Sequence, residues 1–273
     1  MLTNENQSQL TVLQRTAFLL RKIHLLQFAD YFWFLRIYWL NYKTNSRFKN
    51  EYPEAFVPPS LVLYDIQGNC NLFDYYIGGQ KQALEISKII SNERSDQSLK
   101  ILEWGCGPGR ILQHLGSPDG GSWELWGSDY NPHSILWCQQ HFPKINFIHN
   151  DLEPPIALED SSFDVIYCIS VFTHLSEARH YQWINEISRL LKPGGLFIGT
   201  FRGEWFRKDL TCDEQLQFDK GEMVIRDKIK EGKKDYAAYH CDNIVIKLLS
   251  SFRTSRKLST ATNFVQTVWL ASK

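Results

Sequence analysis

The sequence predicts an α/β protein: a seven-stranded, mostly parallel sheet with helices on both faces, preceded by a helical extension. Three observations carry this. From residue 99 onward, short apolar runs alternate with helical stretches, the pattern of successive βα units. The first run ends in an acid, Glu103, and then breaks into glycines at every second position, Gly105, Gly107 and Gly109. The residues before about 60 follow a helical period, and Pro53, Pro58 and Pro59 set them off from the rest.

In chain order, Leu10, Leu13, Phe18, Leu19, Ile23, Leu26, Phe28 and Phe32 recur at helical spacing, which predicts a helix over about 8–45. Its later part is strongly aromatic, but Asp30 and Arg36 interrupt it, and the apolar run is far shorter than the ~20 residues a bilayer span needs. Three roles fit such a stripe: a cap over a substrate site, a homodimer interface, or a helix on a membrane surface. The reading is an aromatic-rich extension over 1–60 and a sheet domain over 61–273. Gly68 and the pair Gly78-Gly79 read as turn points, followed by an amphipathic helix over 80–91. Strands are predicted at 99–103, 123–128, 145–149, 163–168 and 196–201, with helices at 110–115, 133–141 and 176–191 between them. Lys192-Pro193-Gly194-Gly195 stops the last of these helices. An insertion of about 204–240 carries a short strand at 222–225. A helix near 243–249 precedes a closing strand at 264–270, paired with 252–258.

Composition narrows the function. Thirty Lys and Arg balance thirty Asp and Glu, so no net charge draws the chain to nucleic acid or an anionic membrane. The run from Arg226 to Asp235 interleaves both signs and reads as a solvated hairpin. Six scattered cysteines with no C-x-x-C pair argue against a zinc site or an iron–sulfur cluster, and no metal is expected. Residues 1–9 are mostly polar and lack the pattern of a signal peptide, so a cytoplasmic location is expected.

In an open parallel sheet, ligands lie beyond the carboxyl ends of the strands, which makes the residues there candidates for binding. After the first strand these are Gly105, Cys106, Gly107, Gly109 and Arg110. After the second comes Asp129, placed to accept both hydroxyls of a ribose, with Tyr130 beside it to pack on the ligand. Asn150, Asp151 and Leu152 follow the third strand, and Cys168, Ser170 and Phe172 end or follow the fourth.

Glu103-x-Gly105-x-Gly107-x-Gly109, the run Phe163-Asp164-Val165-Ile166 to Val171-Phe172-Thr173-His174-Leu175, and Leu190-Leu191-Lys192-Pro193-Gly194-Gly195 together resemble the class I S-adenosylmethionine (SAM) methyltransferases, in particular bacterial enzymes that act on sugars and natural products. The resemblance is close over about 98–202 and loose beyond. It implies the class I fold, SAM as cofactor, Glu103 as the acid of the first motif and Asp151 as the acceptor for the adenine amino group. The stretch Ser170-Val171-Phe172 lacks the Asn/Asp-Pro-Pro-aromatic motif of adenine-N6 and cytosine-N4 enzymes, and the Pro-Cys of cytosine-C5 enzymes is also missing.

The reaction expected is methylation of a hydroxyl on a small molecule by in-line displacement, with His174 or His240 as base. Phe172, Glu204, Trp205 and Tyr239 are the expected acceptor contacts. N-methylation of an amine or peptide is the alternative within the class. Outside it stand a nicotinamide dehydrogenase, which the glycine spacing disfavours, and a non-catalytic SAM-binding partner protein.

Overall fold

The computed structural model describes residues 26–227, 230–232, 236–258 and 264–273. The portion of the predicted N-terminal helix over 8–25 lies outside them. The described chain forms two compact units, one of the residues up to Ala55 with Pro59–Phe73, the other of Phe56–Pro58 with the residues from Asp74 on.

The first unit holds α1 (Leu26–Glu51) and α2 (Ser60–Gln67). Gly68 ends α2 in the left-handed conformation, φ +70°, where a Cβ would be strained. Asn45 ties the unit together. Its Nδ2 donates to the Cys70 carbonyl and its Oδ1 accepts from Leu72 N–H. Tyr64 donates to Asp30 Oδ1 at 2.6 Å, so the acid that interrupts the aromatic stripe has a structural task. Phe32, Trp33, Trp39 and Leu40 are exposed. No helix among the described residues is long and apolar enough to cross a membrane.

Most of α3 (Leu72–Glu93) belongs to the second unit and leads into the sheet. The strands are β1 (Ser98–Trp104), β2 (Ser122–Asp129), β3 (Asn146–His149), β4 (Phe163–Cys168), β5 (Leu191–Phe201), β8 (Thr254–Lys257) and β9 (Thr267–Ser272). Their order is β3-β2-β1-β4-β5-β9-β8. The first five run parallel, and β9 enters antiparallel between β5 and β8. The chain therefore reverses its direction of winding between β1 and β4, the place where a ligand crevice opens. Helices α4 (Pro132–His141) and α5 (Glu177–Leu190) connect parallel strands. On one face of the sheet Phe172, Trp183, Ile187, Phe197 and Phe201 pack together; on the other Ile86, Ile90, Ile101, Tyr167 and Ile198 do. Between β5 and the last helix, α7 (Asp242–Leu248), the insertion adds α6 (Cys212–Asp219) and a hairpin of β6 (Val224–Arg226) and β7 (Ala237–Tyr239).

The fold class matches the expectation, but four local elements differ. No α-helix forms over 110–115. Gly109 has φ +76° and Ile111 and Leu112 are drawn into the core, so only a 3-10 turn, Leu112–His114, fits before Gly116. Gly78 and Gly79 do not turn the chain; they lie inside α3, which starts at Leu72 rather than near residue 80. The reason is contact: a Cβ on Gly79 would lie 2.1 Å from the Arg110 carbonyl oxygen. Third, Lys192 to Gly195 do not precede β5 but form an irregularity within it, where the register jumps between Phe163↔Leu191 and Val165↔Leu196. Fourth, the hairpin strand is Val224–Arg226, shifted from 222–225.

Gly79→Ala should destabilise the protein by about 1–3 kcal/mol through overpacking against the glycine loop, measured as a lowered urea midpoint. A midpoint unchanged from the wild type would mean that this approach is not tight.

Candidate functional site

The site is built on the loop that leaves β1. Gly105 (φ +78°) begins it, and both Gly105 N–H and Cys106 N–H donate to the Ser128 carbonyl on β2, at 2.7 and 3.0 Å. A Cβ on Gly105 would sit 2.3 Å from Val171 Cγ2, so the loop after β1 and the segment after β4 touch here. Gly107 (φ +50°) donates its N–H to Asp129 Oδ2 at 2.8 Å. Tyr75 of α3 donates to the Pro108 carbonyl at 2.9 Å, and Gln113 donates to the Tyr75 hydroxyl. Cys106 is buried under the loop, and its thiol lies in the space a Cβ on Gly127 would need.

Glu103 lies below the loop and accepts a hydrogen bond from Tyr167 at 2.9 Å. Burial pushes its carboxyl up to about 8, against the opposing pull of Tyr167 and the charge of Arg110. Arg110 is half-buried, and burial lowers its guanidinium, opposed by Glu103. Asp129 is also buried, which pushes its carboxyl upward. Its oxygens receive Gly107 N–H and Asn131 N–H. The acid expected to meet a ribose thus already fixes the glycine loop, and each oxygen retains a second lone pair.

Tyr130, beside Asp129, donates its hydroxyl to the Gly232 carbonyl at 2.5 Å. Asn150 is buried, donates from Nδ2 to the Asp151 carbonyl, and receives no hydrogen bond at Oδ1. Asp151 is exposed. The Leu152 carbonyl accepts from Trp183 Nε1.

Past β4, Ser170 takes φ +62°, a strained conformation for a residue with a side chain. It is held there by its own N–H, which donates to Thr200 Oγ1, and by Thr173, which donates to its carbonyl. His174 follows. Its Nδ1 lies 2.9 Å from the Tyr236 carbonyl, which can only accept, so the ring's proton sits on Nδ1 and Nε2 is the basic nitrogen. The His174 carbonyl accepts from Gly232 N–H. Glu231 accepts from Ser176 N–H and pairs with Arg179.

Three expected contacts are placed elsewhere. Phe172 was expected at the acceptor, but its ring is fully buried between Phe201, His180 and Trp104. The Cys168 side chain is likewise wholly within the core, leaving only its backbone near the strand end. His240 was expected as a candidate base but is fully buried, its Nε2 2.7 Å from His180 Nε2. Because His180 Nδ1 meets the Ser176 carbonyl, it carries that ring's proton; His240 Nε2 then donates to His180 Nε2, and His240 Nδ1 has no partner. Glu204 and Trp205 are exposed, with Lys208 over the Trp205 ring. Tyr239 is buried, its ring between Arg202 and Arg226.

Sequence reading gave no role to Ser128, Thr200, Tyr75 and Tyr236, which act through a carbonyl or a hydroxyl and leave no motif, nor to Val171, quoted only as part of a motif. The Glu231-Gly232 corner was read as a solvated hairpin; its glycine (φ +82°) is the one signal that it makes a defined turn.

The methyltransferase-domain family matches residues 101–195. That match covers about a third of this chain, the part from within β1 into β5. A probable phthiotriol/phenolphthiotriol dimycocerosates methyltransferase of Mycobacterium ulcerans is 34% identical over 100 residues, 36% of this chain and 37% of that protein. A tRNA N(3)-cytidine methyltransferase of Gallus gallus is 30% identical over 142 residues, 48% of this chain and 36% of that protein. The matches thus span little more than a third of these relatives' length. The fold is similar to that of SAM-bound CalS10, an amino pentose methyltransferase of Micromonospora echinaspora, with TM-score 0.50, 13% identity, and 71% of this chain and 91% of that chain covered.

The glycine loop and its surroundings fit SAM on their own geometry. Three left-handed glycines clear a cradle at the sheet's reversal point, and Ser128 Oγ and Asn150 Oδ1 are buried polar atoms with no partner in the protein. Each needs a donor or acceptor that a nucleoside could supply.

The buried histidines give a pH prediction. His180 is pushed down to about 4 by burial, His240 is lowered by burial and by its neighbours His180 and Arg202, and His114 is pushed down to about 4 by burial. Below pH ~6.5 the unfolded chain binds protons that the folded one refuses, so stability must fall with falling pH, by at most about 1.4 kcal/mol per pH unit for His180. Urea midpoints at about pH 7.5 and pH 5 test this. His180→Gln/His240→Gln should show a shallower loss than the wild type, and a flat wild-type profile would count against neutral buried rings.

Proposed function

We propose that this chain is a SAM-dependent methyltransferase that methylates a hydroxyl of a small molecule, with His174 as the base. The observation carrying this reading is the His174 ring, whose Nδ1 is committed to the Tyr236 carbonyl and whose Nε2 is therefore the proton acceptor. It follows Val171, the residue whose methyl abuts Gly105, and so belongs to the segment that borders the glycine loop.

SAM, when bound, supplies an electrophilic methyl group on a sulfonium. The chain's own residues have four tasks. The glycine loop offers its backbone, and Asp129 keeps lone pairs for a ribose diol. Tyr130 and Asp151 stand beyond β2 and β3 for the rest of the nucleoside. Ser170, held in its strained conformation by Thr200, fixes the direction of the segment that carries His174. Gly232 and Tyr236 of the insertion hold Tyr130 and His174 in place and help to exclude water. Removing a proton in the transition state contributes typically 10²–10⁴-fold, on the order expected of one positioned imidazole. A small acceptor also suits a chain with no net charge to gather a polyanion.

Calorimetry with SAM and S-adenosylhomocysteine should show binding to the wild type, and Gly105→Val should abolish it, since the added side chain meets Val171. His174→Gln should bind SAM as the wild type does and lose about 10²-fold or more in turnover, followed as S-adenosylhomocysteine release over a panel of hydroxylated acceptors. Absence of binding to the folded wild type would overturn the cofactor; full turnover by His174→Gln would overturn the base.

A further inference from the structure

Arg202 is the first residue beyond β5, on the half of the crevice that the glycine loop does not occupy. Its guanidinium is half-buried and lies 5.5 Å from the Tyr239 ring centre and 5.9 Å from that of Phe206. Arg226 approaches the same Tyr239 ring at 5.3 Å. The two cations are treated differently. Arg226 is neutralised by Glu214 through two hydrogen bonds, and that pairing holds the Glu214 carboxyl down at about 2. Arg202 has no carboxylate within salt-bridge distance among the described residues. The neighbouring Arg207 is paired with Asp219, and Glu204 is exposed.

A half-buried guanidinium without a counter-ion is an unusual expense in a chain with charge to spare. Surface arginines can leave their charge in water, but this one is flanked by aromatic faces, which attract the cation and orient its plane without neutralising it. Beside it, His240 is buried and neutral, so it adds no competing charge, and its Nδ1 has no partner. Lys208, over the Trp205 ring at 3.8 Å, adds positive charge to the same segment after β5.

We infer that Arg202 is a specificity-determining residue that receives an anionic group, a carboxylate or phosphate, on the methyl acceptor. The planar guanidinium suits a bidentate pairing with either group. The acceptor class is then a small hydroxylated acid or phosphate ester, with the anion anchored over β5 and the hydroxyl directed toward the segment after β4. This rests on the proposed methyl-transfer reading, because it assigns the second substrate of that same site.

The test uses the full chain saturated with S-adenosylhomocysteine, whose own binding heat reports separately on the cofactor half. 4-Hydroxybenzoate and 4-hydroxybenzamide, which differ only in the charge of one group, are titrated by calorimetry, with inorganic phosphate as the minimal anion. The acid should bind the wild type at least about tenfold more tightly than the amide, as expected for one charge-assisted pair. Phosphate should compete with the acid. Arg202→Gln should keep S-adenosylhomocysteine binding and lose the preference for the acid, whereas Arg202→Lys should retain part of it. Equal affinity for acid and amide, no binding of either, or an undiminished preference in Arg202→Gln would overturn the inference while leaving the cofactor reading intact.

Discussion

Two close approaches to glycine fix the geometry of this domain. At Gly79 the helix before β1 lies against the Arg110 carbonyl, and at Gly105 the loop after β1 lies against Val171. Neither approach leaves room for a Cβ. The glycine loop is thereby set between α3 and the segment after β4, and its N–H groups face β2. Because this placement depends on one backbone contact and on one stiff β-branched side chain, it costs little further entropy when a ligand arrives, which is what a preorganised site requires.

The buried acids complete that arrangement at a cost. Asp129 holds Gly107 N–H, and Glu103 receives the Tyr167 hydroxyl. Burial raises both carboxyls, so each charge is less stable here than in water. Replacing such groups with apolar ones would often be neutral for stability. Their presence is better accounted for by the loop they orient, and in Asp129 by the acceptor capacity it retains, than by any net gain to the fold.

Much of the sheet was legible because period and punctuation agree there. β4 is Phe163–Cys168 as predicted, and β1, β2 and β3 differ only at their ends, since apolar runs bounded by turn residues leave little choice. Misreadings arose where a tertiary contact overrode a local rule. Gly78-Gly79 has the local signature of a turn, yet Gly79 is required within a helix by its neighbour. Lys192 to Gly195 carry the helix-stop signal, and the chain does leave the helix, but β5 has already paired before them. Phe172 and His240 could not be read correctly from spacing, because alternation tells which residues follow a strand and not which of them turn inward. His180, whose partner is sixty positions away, gives no local sign of the contact that keeps His240 from the surface.

The two halves of the crevice are specified by different means, and this decides what similarity can carry over. The proposed cofactor half consists of glycine dihedrals and short acids, which leave a readable pattern, and of carbonyls such as that of Ser128, which do not. The proposed acceptor half rests on His174, inside the family match, and on Arg202, Gly232, Tyr236 and Tyr239, all beyond residue 195, where that match ends. The proteins that this chain resembles act on unlike acceptors by their names, phthiotriol dimycocerosates and tRNA cytidine among them. The matched family segment includes His174 but ends before the other residues proposed to meet an acceptor. On the proposed reading, acceptor choice in this chain is set by its insertion and by the residues just after β5. It has to be argued from the charge and hydrogen bonding of those side chains, with the unneutralised Arg202 as the strongest local feature.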